Sequence, residues 1–315
     1  MTHYVIQRLI VALITILGVT FLVFVAMRAL PGSAIDVITS TSTVGGPNAR
    51  QEIEHRLGLD EPIPVGYAKW LGDVAQGNLG TSIISGQSIS RYIKEGLPVT
   101  LELGLMSLFF GIVFGIPIGI ISAVKQDTPI DYALRSLAIT LLSVPGFLIA
   151  VVVLVLASKF WNWAPPITYI KFTDDPIHNL GQFALPAIIL GFSSSAALMR
   201  FTRTAVLDVY REDYVRTARA KGMAERVVVL RHVVRNSMIP IVTIIGLSLA
   251  YIIGGTVIFE QLFQLPGLGR FILSEINTRD YPGVQDISIL FATVVVLVNL
   301  GTDLVYTLID PRVTY

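Results

Sequence analysis

Residues that could carry out covalent or metal chemistry are few in this sequence and lie far apart. Cysteine is absent, which excludes disulfides, thiol catalysis and cysteine-ligated metal centres. The four histidines, none of them in a metal-binding spacing such as His-x-x-x-His, are His3, His55, His178 and His232. The sequence also lacks the Gly-x-x-x-x-Gly-Lys-Ser/Thr loop that cradles nucleotide phosphates. These residues predict no catalytic site, no metal site and no bound cofactor on this chain.

Ionisable residues within the apolar stretches could instead move protons or ions. Glu102, Glu260 and Asp303 lie near the ends of such stretches. Carriers that are driven by an ion gradient usually place carboxylates or histidines deep in the bilayer. The boundary positions therefore disfavour a proton relay. A gradient-driven carrier stays open as an alternative function, and a structural membrane subunit without a transport path is a third.

Small residues and prolines carry more information inside the apolar stretches. Gly111, Gly115 and Gly119 repeat every four residues and share one helix stripe, where another backbone can approach closely. They predict a packing seam between helices. Pro117 in this stretch, and Pro145 with Gly146 in the next one, remove or weaken helical hydrogen bonds, which favours a kink at both places.

The elements that must position these residues are membrane-spanning helices. Apolar residues make up 53% of the chain, charged residues make up 14%, and the mean hydropathy is +0.70, values that are typical of an integral membrane protein. The net charge of +1 gives the chain as a whole no attraction to nucleic acid. Runs of roughly the 20 apolar residues that cross a bilayer lie at about 9–28, 98–124, 136–158, 183–200, 240–259 and 287–309. We therefore predict an all-α integral membrane fold with six transmembrane helices.

Charge in the loops predicts the orientation, because lysine and arginine accumulate in cytoplasmic loops. Residues 200–239 carry nine basic and four acidic side chains, which places this loop and both chain termini in the cytoplasm. The predicted order is a cytoplasmic N-terminus with the first transmembrane helix at 1–28, an outer, periplasmic-side segment at 29–97, and a five-helix core at 98–315 that includes the inner loop at 201–239. The outer segment contains two amphipathic runs, so we expect a small folded element that caps the spans or docks a partner.

The inner loop has the pattern of a basic helix pair. Asp213 is expected to cap a helix over 214–221, and Gly222 suits the left-handed residue that ends it. A second amphipathic helix is predicted at 224–236, and Pro240 is expected to open the next span. A DNA-binding function is disfavoured, because a loop held at both ends near the bilayer could hardly enter a major groove.

This loop resembles a known family. Residues 213–240, DYVRTARAKGMAERVVVLRHVVRNSMIP, are similar to the cytoplasmic loop of the integral-membrane subunits of binding-protein-dependent ABC importers, in the dipeptide and oligopeptide branch. The resemblance covers nearly the whole chain through YVIQRLI, ALPGSAIDV, LGLDEPIPVGYAKWLGDVAQGNLGTSI, FEQLFQLPGLGRFILSEINTRDYPGVQ and DPRV, and is to the first permease subunit of such importers. Arg216, Thr217 and Ala218 stand where the general importer pattern has Glu-Ala-Ala. An ion pair made by that glutamate therefore cannot be carried over.

The resemblance implies a type I ABC importer permease fold and a set of partners. It pairs this chain with a second, related permease subunit, with two cytoplasmic ATPase subunits that bind ATP and Mg, and with an extracytoplasmic substrate-binding protein that delivers short peptides. Membrane lipid is a further partner, and the location is the inner membrane of a prokaryote. Spans two to five would line the path. Similar permeases serve dipeptides, longer peptides, glutathione, nickel chelates or haem, so the resemblance leaves the substrate open.

The resemblance also implies site residues. The inner loop becomes a coupling loop, and its ATPase-docking residues are Asp213, Tyr214, Arg216, Thr217, Ala218, Lys221 and Gly222. Contacts with the substrate-binding protein are expected at Pro266, Gly267, Asp280 and Tyr281. For Ala218 and Gly222, the alternative interpretation is that they only pack the two loop helices together.

Overall fold

The computed structural model describes residues 2–29 and 60–309, and this part of the chain is almost entirely helical. The helices, numbered in chain order, are α1 (Thr2–Ala29), α2 (Ile63–Ala75), α3 (Ile89–Val124), α4 (Pro129–Ser143), α5 (Gly146–Trp161), α6 (Pro176–Tyr210), α7 (Asp213–Ala220), α8 (Glu225–Val227), a π-helix (Val228–Val234), α9 (Arg235–Leu262), α10 (Leu268–Thr278) and α11 (Tyr281–Ile309). Thr81 and Ser88 form an isolated antiparallel bridge. The all-α prediction is confirmed.

The described helices provide five candidate membrane crossings, or six when a bent pair of helices is counted as one. Five continuous helical stretches are long and apolar enough to cross a bilayer, namely Ile6–Ala29, Ile89–Val124, Pro176–Tyr210, Glu225–Ile252 and Tyr281–Thr302. The candidate for a sixth crossing is a bent pair, because α4 and α5 meet the same criterion together and are bent by 93° relative to each other. The prediction of six spans agrees with the count that includes this pair.

The bend between α4 and α5, which we term the elbow (residues 144–146), lies at the predicted kink. Val144 has an extended backbone (φ −105°, ψ 122°), as expected for a residue that precedes a proline. Pro145 then caps the start of α5. At Gly146 a Cβ would lie 2.8 Å from Oγ of Ser193 in α6, so a side chain would prevent this close approach. The kink prediction is confirmed at Pro145 and Gly146, whereas α3 continues as one helix through Pro117.

The glycine stripe of α3 forms the predicted seam, and its partner is α6. Each glycine faces one backbone position of α6, and the pairs are Gly111 with Gly191, Gly115 with Ser195 and Gly119 with Met199. A Cβ on Gly115 would lie 2.9 Å from the facing carbonyl oxygen, and one on Gly119 would lie 2.7 Å from it, so neither position has room for a side chain. Residue numbers rise together along the seam, so α3 and α6 run parallel. The bent pair between them must therefore cross the membrane an odd number of times.

The chain divides into two packing units. One comprises Met1–Val99 and Pro266–Leu297, and the other comprises Thr100–Leu265 and Val298–Tyr315. In the first unit, Tyr67 of α2 donates its hydroxyl to the Leu17 carbonyl of α1 at 2.8 Å, and Trp70 donates Nε1–H to Asp286 of α11 at 2.8 Å. The second unit holds the glycine seam, the elbow and the coupling loop.

Two sequence expectations on the outer segment have different outcomes. Its second amphipathic run forms α2, as predicted. Residues 30–59, which include the first run, lie outside the described residues. The second span begins at Ile89 rather than near residue 98, because α3 extends beyond the most apolar stretch.

Candidate functional site

The first helix of the coupling loop (residues 201–239) is α7. Its N-cap is Glu212, which has an extended backbone (φ −66°, ψ 145°) and makes no capping hydrogen bond through its side chain. The prediction that Asp213 caps this helix is wrong by one residue, because Asp213 is already helical. Its side chain is 93% exposed and pairs with Arg216 at 3.5 Å. Such an exposed pair contributes little to stability.

The C-terminal end of α7 is a Schellman turn that is built on Gly222. The Gly222 amide donates to the Arg219 carbonyl at 2.9 Å, and the Met223 amide donates to the Ala218 carbonyl at 3.4 Å. Gly222 has a φ of +77°, a backbone angle that a β-branched residue resists. A Cβ at this position would meet nothing within 4 Å. Glycine is therefore required here by the backbone angle and not by a lack of space for a side chain. The prediction for Gly222 is confirmed.

One side of α7 is buried against neighbouring helices. Val215 and Ala218 pack in a cluster with Val206 of α6 and with Val228 and Val233 of the π-helix. Ala218 is only 7% exposed, which corrects its predicted place on the free contact face. Its small side chain lets α7 approach the second loop helix, as the alternative interpretation held for this residue.

The second helix of the coupling loop is continuous with the fifth membrane span. It begins at Glu225, passes through the π-helix and continues as α9. Pro240 lies inside α9, so the prediction that it opens the span is wrong; a membrane helix tolerates the one hydrogen bond that proline removes. The wider turn of the π-helix buries Val228 and Val233 and leaves Leu230 exposed, whereas a regular amphipathic helix was expected.

Three polar side chains, Tyr210, Arg219 and Glu225, form a clasp across the Gly222 turn. Arg219 donates from Nε and Nη2 to the two Glu225 oxygens at 3.1 and 3.0 Å, and Tyr210 donates its hydroxyl to the same carboxylate. The Arg219 guanidinium lies 4.2 Å from the centre of the Tyr210 ring. The hydrogen bonds that Arg219 donates to the Glu225 carboxylate raise the pKa of Arg219 above its ordinary value. The clasp joins α6, α7 and α8 and holds α7 at a fixed angle.

The free face of α7 is polar and basic. Tyr214, Arg216, Thr217 and Lys221 are exposed on it. The Tyr214 hydroxyl accepts from Asn236 Nδ2 at 3.1 Å, which ties this face to the start of α9. The structure therefore brings these predicted docking residues together on one supported surface, suited to contact another protein.

A cavity of about 590 Å³ lies in the same unit as the coupling loop, between the elbow, α6 and α9. Pro145 and Phe147 form part of its wall at the elbow. Four hydroxyl groups line it, from Ser193, Ser194, Ser248 and Tyr251. The residues that line this cavity include no charged side chain. The wall can contact apolar groups and form hydrogen bonds, but it does not select on charge.

The four predicted contacts of an outer binding protein belong to the first unit and are mostly internal. Pro266 is exposed, whereas Gly267, Asp280 and Tyr281 are buried, which corrects the expectation for these three. Asp280 accepts from Ser82 Oγ at 2.6 Å, because the segment before α11 folds back on residues of the outer element. A direct contact through those three residues would require this packing to open.

A second buried carboxyl, Glu275 of α10, lies beside Asp280. Burial and the neighbouring Asp280 carboxylate raise the pKa of Glu275 to about 8. A Cβ on Gly283 would overlap the Glu275 side chain, so glycine provides the space for it. Within residues 2–29 and 60–309, no group of three histidine, aspartate or glutamate side chains is arranged to hold a metal ion.

Comparison with known proteins decides the family. A family model described as "Binding-protein-dependent transport system inner membrane component" matches residues 115–315, and a model for the N-terminal part of such components matches residues 1–104. The chain belongs to this family. It is a multi-pass membrane protein and a transport component of an ABC importer, not an enzyme.

Relatives match over their full length. The oligopeptide transport system permease protein AppB of Bacillus subtilis is 36% identical over 318 residues, which cover 100% of both chains. The di/tripeptide transport system permease protein DppB of Pseudomonas aeruginosa is 36% identical over 335 residues, which cover 100% of this chain and 99% of that one. A chain of the MetNI methionine ABC transporter, solved in inward-facing conformations, has a TM-score of 0.58 at 15% identity and covers 70% of this chain and 96% of its own. This likeness confirms the type I importer permease fold.

Sequence reasoning missed two features of the second unit. One is the hydroxyl-lined cavity, since the four hydroxyls come from two distant helices. The other is a buried ion pair between Asp131 and Arg203. Aspartate in the first turn of a helix is common, and Arg203 was counted only among the loop charges. Neither residue alone carries a signal of the pairing.

Proposed function

We propose that this chain is the permease subunit of an ATP-driven importer of short peptides, in which it forms the translocation path with a second, related permease subunit. The observation that carries the proposal is the geometry of α7, whose Schellman turn, buried side and clasp hold one polar face outward. A helix that is held in this way can transmit the movement of a protein partner to the membrane-spanning helices. The relatives named for oligopeptides and di/tripeptides support the substrate class.

In this proposal, the face with Tyr214, Arg216, Thr217 and Lys221 docks on one of two cytoplasmic ATPase subunits. ATP and Mg bind to those subunits, since the sequence has no phosphate-binding loop. The docking side is cytoplasmic, and so are both termini, because basic residues concentrate in the coupling loop. A substrate-binding protein then delivers cargo on the outer side, where Pro266 is exposed.

The cavity suits a peptide as cargo. Peptide bonds both donate and accept hydrogen bonds, and four hydroxyls line the cavity, those of Ser193, Ser194, Ser248 and Tyr251. The hydroxyls of Ser194 and Ser248 already donate to carbonyls of their own helices, so they can accept hydrogen bonds from the cargo. Because the cavity wall is uncharged, it repels neither acidic nor basic side chains of the cargo. Selection among peptides then falls to the delivering protein.

Cross-linking and uptake test the proposal. The natural chain has no cysteine, so Thr217→Cys on the free face and Val215→Cys on the buried side form a matched pair of probes. In membranes that contain the partner subunits, we expect Thr217→Cys to cross-link to an ATPase and Val215→Cys to remain unlinked. Reconstituted vesicles should take up a labelled tripeptide when ATP is added. Uptake that follows an ion gradient and ignores ATP would instead establish the gradient-driven carrier.

A further inference from the structure

The ion pair between Asp131 and Arg203 is buried within the second unit. Asp131 lies in the first turn of α4, three residues after the N-cap Thr128, whose side chain accepts from the Asp131 amide, and the Asp131 side chain is 0% exposed. Arg203 of α6 donates from Nε to Oδ1 at 3.0 Å and from Nη2 to Oδ2 at 2.8 Å, and its side chain is 18% exposed. The two planar groups therefore meet in a bidentate fork, the strongest and most directional arrangement for such a pair.

The remaining capacity of the Asp131 carboxylate is also used. Ser122, near the end of α3, donates its hydroxyl to Oδ1 at 2.5 Å, and the Asp127 amide in the α3–α4 turn donates to Oδ2 at 3.0 Å. Each carboxylate oxygen thus accepts two hydrogen bonds. One carboxylate joins three parts of the fold: the end of α3, the start of α4, and α6.

The position of the pair relates two features of the candidate site. From Arg203, α6 continues to Tyr210 of the clasp and into α7 of the coupling loop. From Asp131, α4 continues to the elbow, which forms one wall of the cavity. The pair is therefore a direct link between the helix that ends at the coupling loop and the helix that ends at the elbow.

Apolar packing between these helices would not define their register as strictly. Ala138 of α4 packs against Ala196 and Met199 of α6, but contacts among such residues are non-directional and permit small sliding. A buried ion pair contributes little net stability compared with an apolar pair of similar volume. The fork instead restricts α4 to one position along α6.

We propose that the Asp131–Arg203 pair transmits movement of the coupling loop to the elbow, so that Asp131 and Arg203 are positioning residues for transport. The proposal rests on the proposed function, because it presumes that an ATPase moves the coupling loop. When α7 is pushed, α6 moves with it, and the fork carries α4 and the elbow wall along. Without the fork, the ATPase can complete its cycle while the cavity wall lags behind.

The test uses the complete importer in vesicles and measures uptake of a labelled tripeptide and hydrolysis of ATP in the same sample. Arg203→Lys keeps the charge and removes the fork. We expect near-normal membrane abundance and ATP hydrolysis, with the ratio of peptide taken up to ATP hydrolysed falling about fivefold or more. The matched control is Arg135→Lys, since the Arg135 guanidinium lies 4.0 Å from the same carboxylate but is 46% exposed, and its ratio should stay within about twofold of the unchanged chain.

A second variant keeps the proposal testable if the first variant does not fold. Replacing both partners by amides, Asp131→Asn with Arg203→Gln, removes the charges together and leaves no unpaired ion in the interior. This double variant should insert and show the same loss of ratio. An unchanged ratio in the double variant or in Arg203→Lys overturns the proposal, as does a parallel loss of uptake and hydrolysis. Absence of ATP-driven uptake with the unchanged chain would refute the proposed function itself.

Discussion

Gly222 directs α7 through its backbone angle alone. Its φ of +77° closes the Schellman turn, and the space around it is open. A substitution there therefore tests the angle without introducing a clash. This separates the direction of the loop helix from the packing of the loop.

At the residue scale, we expect Gly222→Val to uncouple the importer. A β-branched residue opposes a positive φ at about 1–2 kcal/mol, so the turn should open and α7 should reorient, while the spans still insert. The expected result is near-normal membrane abundance, weakened copurification of the ATPase subunits and loss of ATP-driven peptide uptake. Gly222→Asn is the matched control, because asparagine adopts the left-handed conformation readily. If the asparagine variant also lost function, the backbone angle at residue 222 would not be the cause of the loss.

Local backbone rules predicted Gly222 but not the direction in which Ala218 points. A positive φ after a short helix depends on neighbouring residues only, whereas burial of Ala218 depends on Val206 and Val233 from two other helices. The sequence placed the N-cap of α7 at Asp213 rather than at Glu212. This error of one residue has a local cause, because the two residues are adjacent and both are acidic. Local chemistry thus determines the turn, and tertiary packing determines which face of α7 remains free.

At the scale of elements, the seam between α3 and α6 makes a specific prediction. Gly115→Leu would place a side chain where the Ser195 carbonyl and Leu198 lie within about 3 Å, and overpacking of this kind costs about 1–3 kcal/mol. We expect reduced abundance of the folded subunit and a lower unfolding temperature in detergent. Gly18→Leu in α1 is the control, because a Cβ there meets nothing within 4 Å. Equal tolerance of leucine at both positions would count against the seam.

The Glu275 carboxyl predicts a pH dependence for the unit that contains α10. The folded pKa of about 8 lies above the ordinary value of 4.5, so the folded state keeps a proton that the unfolded state has lost. Stability from this group is fully present below pH 4.5 and is lost as pH rises to about 8. The unfolding temperature, followed by tryptophan fluorescence, should therefore fall over this window, and Glu275→Gln should flatten the fall.

A matched control separates this effect from general titration of the surface. Glu95 is exposed and pairs with Arg91 at 3.0 Å, so Glu95→Gln should leave the pH dependence unchanged. A fall in unfolding temperature that is the same in the unchanged chain and in both variants would show that Glu275 does not titrate as described.

The sequence predicted those helices well whose position depends on the apolar length needed to cross a membrane. It predicted less well the features that depend on packing between helices. Apolar length predicted the five continuous spans and the bent pair, and Pro145 predicted the elbow, since proline restricts the backbone of the residue before it. Pro240 has the same chemistry but lies inside α9, because the membrane environment sustains a helix through one missing hydrogen bond. The π-helix has no signature in residue type, and its register follows from packing against α6 and α7.

At the scale of the whole molecule, the basic coupling loop predicts which side of the membrane each loop occupies. A reporter enzyme that is active only outside the cytoplasm should work when fused near Gln76 or near Glu275. It should be inactive near Lys125 and near Glu225, because arginine and lysine concentrate at the inner side. Activity at Glu225 would invert the proposed orientation and remove the basis for ATPase docking there.

The Asp131–Arg203 pair shows the limit of prediction at this scale. Asp131 and Arg203 belong to different spans, and only the parallel course of α3 and α6 brings the start of α4 against α6. The family resemblance predicts the partners and the coupling role of the inner loop, but it indicates neither this pair nor the hydroxyls of the cavity. Those depend on how distant helices meet.

The elbow has a consequence for biosynthesis. An α-helix rises about 1.5 Å per residue, so α4 with 15 residues and α5 with 16 each fall short of a hydrocarbon layer of roughly 30 Å. As they leave the ribosome, the two must enter the bilayer as a single hydrophobic segment. Val144 and Pro145 favour the bend locally, but the packing of Gly146 against Ser193 that supports it forms only after α6 has been synthesised. We therefore expect a nascent chain truncated before α6 to hold this segment in a straighter form, more accessible to the insertion machinery, than the finished protein does.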